Sequence, residues 1–113
     1  MQNLLCACLL LLTGISLVEK HGNWYYIYDE TGYHTKSVPA SIGSLRGFGA
    51  DYFVVEKGNW YYLYDESGKR YKTLSRSIGE MVAIGSKTFV VKKGNWLATY
   101  DRDGKKISSR PVS

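Results

Sequence analysis

Trp24, Trp60 and Trp96 are the residues of this 113-residue chain best suited to hold a ligand, and they recur at a spacing of 36 residues, each behind a Gly-Asn pair. An indole face at a strand edge can stack on a sugar ring, a nucleobase or a cation. The second candidate set is Lys69, Arg70, Lys72 and Arg76 around Tyr71, continued by Lys92, Lys93, Lys105, Lys106 and Arg110. Basic side chains interleaved with tyrosine are the chemistry of phosphate and base contact. Each set also has a purely structural explanation. A large apolar residue repeated beside a turn is expected in the core, and lysines on strand edges block aggregation. If the tryptophans are exposed instead, three equivalent platforms favour multivalent glycan recognition.

No catalytic set accompanies these residues. His21 and His34 have no counterparts elsewhere in the chain, and no Ser/His/Asp or Cys/His constellation carries motif support. "DRDG" at residues 101 to 104 resembles a calcium loop but lacks a downstream acidic ligand, and its partners read "DETG" and "DESG". The "GFG" at residues 47 to 49 lacks the strand-loop-helix context of a nucleotide site. Cys6 and Cys8 offer neither a disulfide framework nor a second ligand pair for a metal. The expectation is a protein that is not an enzyme and uses no cofactor or metal.

The elements that position these residues are strands. "TFVVK" and "NWYYLYD" are rich in β-branched and aromatic residues and are bounded by glycine turns. "KGN" makes a tight hairpin link, and Asp with Gly in "DESG" makes the next turn. Repeats 1 and 2 share Asn23/Asn59, Tyr28/Tyr64, Asp29/Asp65, Ile42/Ile78 and Phe53/Phe89, while "FVVEKGNW" and "FVVKKGNW" link repeats 2 and 3. Each 36-residue unit therefore holds about four short antiparallel strands. Along "WYYLY", Trp60, Tyr62 and Tyr64 point to one side and Tyr61 and Leu63 to the other, so each hairpin needs cover on both faces.

"FVVKKGNWLATYDRDGKKI" and "FVVEKGNWYYLYDESGKRY" resemble the bacterial WG (KWG) repeat family, with Tyr25, Tyr61 and Leu97 standing where a Gly usually follows the Trp in that family. The resemblance covers nearly all of residues 17 to 113. It implies a repeat scaffold of envelope or secreted bacterial proteins and carries over no catalytic residues. A second, architectural resemblance is to the β-trefoil, in which three four-strand units close on themselves. A propeller-like array is the other arrangement, and three units would then need a partner chain to close a ring.

Residues 4 to 18, "LLCACLLLLTGISLV", have the length of a signal-peptide apolar region and are short for a membrane-spanning helix. The same run also occupies the place ahead of repeat 1 that "EMVAIG" holds after repeat 2, and could act as a closing strand. Residues 1–16 are thus read as signal peptide or closing strand, and residues 17–113 as one β-repeat domain. A signal peptide places the protein in the periplasm, the envelope or the medium; a closing strand is equally compatible with the cytoplasm. Charge is uneven: residues 1–56 hold three Lys/Arg against five Asp/Glu, and residues 57–113 hold twelve against five. The function expected is a binding module for a glycan or protein partner. The alternatives are a binder of nucleic acid or another anionic polymer, and a structural repeat that self-associates.

Overall fold

The computed structural model describes residues 14–112. It is all-β, with eleven antiparallel strands in three sheets. The first sheet runs β1 (Leu17–His21), β2 (Trp24–Tyr28), β3 (His34–Pro39). The second is β4 (Ser44–Phe48), β5 (Tyr52–Lys57), β6 (Trp60–Asp65), β7 (Arg70–Ser75), and the third β8 (Glu80–Ile84), β9 (Thr88–Lys93), β10 (Trp96–Asp101), β11 (Lys106–Pro111). Within each sheet every strand pairs with its neighbours in sequence, and no sheet of the described residues closes on itself. Single 3₁₀ turns at Ala40–Ile42 and Arg76–Ile78 carry the chain from one sheet to the next.

The local chemistry follows the sequence signals. His21 faces Trp24, Lys57 faces Trp60 and Lys93 faces Trp96 across two-residue Gly-Asn loops. Only the glycine of each loop takes positive φ, at Gly22 (62°), Gly58 (63°) and Gly94 (59°), the arrangement of hairpins with Gly in the first loop position. At the opposite end of each hairpin, Asp Oδ1 collects the N–H groups two and four residues on: Thr31 and Tyr33 on Asp29, Ser67 and Lys69 on Asp65, Asp103 and Lys105 on Asp101. The Thr31 hydroxyl bond, with these N–H bonds, holds the Asp29 carboxyl below the usual range.

Alternation along β5 and β6 builds two cores, one on each face of the middle sheet. Phe53, Val55 and Tyr64 join Ile15, Val18, Tyr25, Ile27 and Val38 in the first core. Tyr52, Val54, Tyr61 and Leu63 join Met81, Phe89 and Val91 in the second. Ile15, just ahead of β1, is buried in the first core and its N–H donates to Ala50 O at 2.7 Å. "EMVAI" also pairs differently from the phase of the sequence units: it is β8, the leading strand of the third sheet, which draws its four strands from residues 80–111. The place matching β8 ahead of the first sheet lies outside the described residues, as does most of the run read as signal peptide or closing strand.

Polar atoms stitch each sheet to the next. Tyr25 Oη–H donates to Gly43 O (2.6 Å) and accepts from Leu45 N–H (3.1 Å), and Tyr61 makes the same pair with Gly79 O (2.9 Å) and Met81 N–H (3.0 Å). Between the second and third sheets, the Arg102 guanidinium binds Asp51 at 2.8 Å and lies over the Tyr52 and Tyr71 rings. Turn glycines permit close approach: a Cβ on Gly68 would meet Val38 at 2.7 Å, and one on Gly104 would meet Leu74 at 3.1 Å.

Two outcomes test this packing. Tyr61→Phe removes the acceptor of the Met81 N–H and leaves Gly79 O to Arg76 alone, and should lower unfolding free energy by about 1–3 kcal/mol in denaturant titration. Burial pushes the Tyr52 and Tyr71 hydroxyls up to about 12, with the Arg102 charge opposing, against about 10 in an unfolded chain. Their neutral forms are favoured by the fold, so this stability is whole below the unfolded value and is lost as pH rises toward the folded one. Denaturation midpoints should fall across that alkaline window, and Tyr71→Phe should flatten the fall.

Candidate functional site

The three tryptophans are not core residues. Trp24 and Trp60 are each 47% exposed and Trp96 is 55% exposed. The core expectation fails because each tryptophan opens its strand directly after the hairpin loop. It shares a face with Tyr26, Tyr62 or Ala98, yet it lies beyond the end of the packed cluster.

Their surroundings differ. Trp24 borders a shallow cavity of about 530 Å³ with Lys20, Asn23 and Ala40. Trp96 borders a larger one, about 750 Å³, between the third sheet and the 3₁₀ turn that leads into it. Its walls are Trp96 and Tyr100 on β10, Lys106 and Ser109 on β11, Ser77 and Ile78 on the turn, and Lys93 and Asn95 on the hairpin, with Ala98 between the two aromatic rings.

Ala98 explains the larger cleft. Tyr62 holds the same place one repeat earlier, where it packs against the first core with the Arg70 guanidinium 4.8 Å from its ring centre. Removing that phenol ring leaves a ring-sized gap beside Trp96. Lys106 takes the place of Arg70 and has no ring beneath it. The far wall is rigid, because Tyr100 stacks on Phe89 at 5.5 Å with an interplanar angle of 2°.

The cleft therefore combines an indole face, a phenol ring, two ammonium groups and the polar side chains of Ser77, Asn95 and Ser109. Among the described residues, no carboxylate lines it. This donor set suits a flat, hydroxylated, negatively charged ligand. The other basic candidates do not converge on one site. Arg76 binds Glu56 at 3.0 Å and Gly79 O at 2.9 Å, Arg70 covers Tyr62, Lys72 packs beside the Gly104 turn, and Lys69 sits in the Asp65 turn. Sequence reading nominated Trp96 but missed Ala98, Tyr100 and Ser109. The available signal was the break in the repeat, where "NWLATY" replaces "NWYYLY".

No family model, curated protein or solved structure matches the chain. The class of protein is thus defined by its own architecture: an all-β protein of three meander sheets with an aromatic, cationic surface cleft. The charge of that cleft is measurable. With Trp24 and Trp60 replaced by Phe, Trp96 emission should be quenched more efficiently by iodide than by caesium, and Lys93→Gln with Lys106→Gln should remove the difference.

Proposed function

We propose that this chain is a non-enzymatic binding module and that the cleft beside Trp96 takes an acidic saccharide. The observation that carries the reading is the replacement of Tyr62 by Ala98, which opens space between two aromatic rings in a cleft that Lys93 and Lys106 also line. A pyranose ring can lie on the indole through its C–H face while a carboxylate or sulfate reaches the ammonium groups. In this reading the three sheets are blades of one repeat scaffold, set in an open row rather than a closed trefoil. The two cores, each between consecutive sheets, support that arrangement, and so does the resemblance of the Lys-Gly-Asn-Trp hairpins to WG repeats. An envelope or secreted location would fit this ligand and the apolar N-terminal run.

Nucleic-acid binding is the second reading, favoured by the excess of Lys and Arg in residues 57–113. It calls for an extended basic track with stacking rings, whereas Arg70 and Arg76 are engaged within the protein.

Calorimetric titration with a polyuronate, a neutral glucan and single-stranded DNA separates these readings. The polyuronate should bind, Trp96→Ala should weaken it roughly tenfold through lost stacking, Ala98→Tyr should abolish it, and Trp60→Ala should leave it unchanged. Absence of polyuronate binding, or equal loss from all three tryptophans, overturns the saccharide reading. DNA binding that falls steeply with salt favours the second.

A further inference from the structure

Both faces of the middle sheet are covered, but among the described residues each outer sheet packs through one face only. The other face of the first sheet carries Leu17, Tyr26 and Tyr28, at the positions where Phe53, Tyr62 and Tyr64 pack on the sheet before them. The other face of the third sheet carries Val90, Leu97 and Ile107, at the positions where Val54, Tyr61 and Tyr71 pack on the sheet after them. The stack of His34 on Tyr26, at 4.0 Å, does not block docking, because Arg70 covers Tyr62 in the same way inside an existing junction.

Charge supplies the complementarity. The Asp51–Arg102 pair joins the second sheet to the third. Shifted by one repeat, Asp51 becomes Lys87 on the third sheet; shifted by two, Arg102 becomes Glu30 on the first. Both are exposed, and neither forms an ion pair among the described residues. A second pair of positions changes in the same manner. Val38 with Val55 belongs to the first core and Leu74 with Val91 to the second, whereas the outer faces place Arg110 and Glu19 there, the latter 2.6 Å from His21. An end that only had to stay in water would need polar residues. It would not need opposite signs at positions that meet.

The turn glycines fit the same pattern. Gly68 and Gly104 press on Val38 and Leu74 of the preceding sheets, but Gly32 has nothing within 4 Å. We infer that the third sheet of one copy docks on the first sheet of a second copy, head to tail, with Lys87 facing Glu30 and Arg110 facing Glu19. Such a contact is heterologous, and two of them close a pair of chains into a six-sheet ring, within the range of about four to eight blades known for propellers.

Sedimentation of the full chain over a wide concentration range tests the inference. A dimer or larger assembly should form in a concentration-dependent way. Glu30→Lys or Lys87→Glu alone should weaken it roughly tenfold or more by placing like charges together, and the two combined should restore it. Both side chains are exposed, so circular dichroism should show unchanged folding in every variant. A monomer at all concentrations overturns the inference. So does an assembly that neither single exchange weakens, or that the double exchange does not recover.

Discussion

The structure depends on β5 and β6 being buried on both faces. A two-residue side-chain period sends Phe53, Val55 and Tyr64 to one side and Tyr52, Val54, Tyr61 and Leu63 to the other. Neither set can leave water unless a sheet lies on its side. The first and third sheets therefore hold their places because the second is apolar twice over. Burial of Phe53, Val54, Val55, Tyr61 and Leu63 at 0% exposure shows how complete that cover is. Polar groups then set the alignment. The Tyr25 and Tyr61 hydroxyls bridge the turn into the next sheet, and Arg102 ties Asp51 to two tyrosine rings.

Much of this was legible in the residues. The Gly-Asn loops, the Asp turns and the alternation of "WYYLY" all specify local geometry through short-range bonds, and each appears where the sequence places it. Three features were not legible, each for a physical reason. The tryptophans were expected in the core because they are large and repeated, but burial depends on distance from the cluster centre, and the first residue of a strand lies past its end. The phase of the sheets depends on which neighbour "EMVAI" pairs with, and a 36-residue period carries no mark of where a unit begins. The cleft arises from a missing ring at Ala98, and its walls come from three segments that only the packing of sheet on turn brings together.

The cleft also shows how one substitution makes the junction ahead of the third sheet differ from the junction ahead of the second. Where a tyrosine fills the junction, as at Tyr62, the ring and its covering guanidinium contribute to packing. Where an alanine replaces it, packing against the preceding sheet falls to Phe89, Val91 and the Tyr100 ring, and the freed space becomes accessible. Close packing and open space thus exclude each other at this one position.

The meander order has a consequence for how the chain is made. Each strand finds its partners among its immediate neighbours in sequence, so loop closure costs little and pairing within a sheet can be early. During synthesis the first sheet can form alone, and residues 44–75 can then complete the first core. The second face of the middle sheet has no such early cover. Tyr52, Val54, Tyr61 and Leu63 stay open to solvent until Phe89 and Val91 leave the ribosome. The interval between those two events is when the nascent chain is most adhesive.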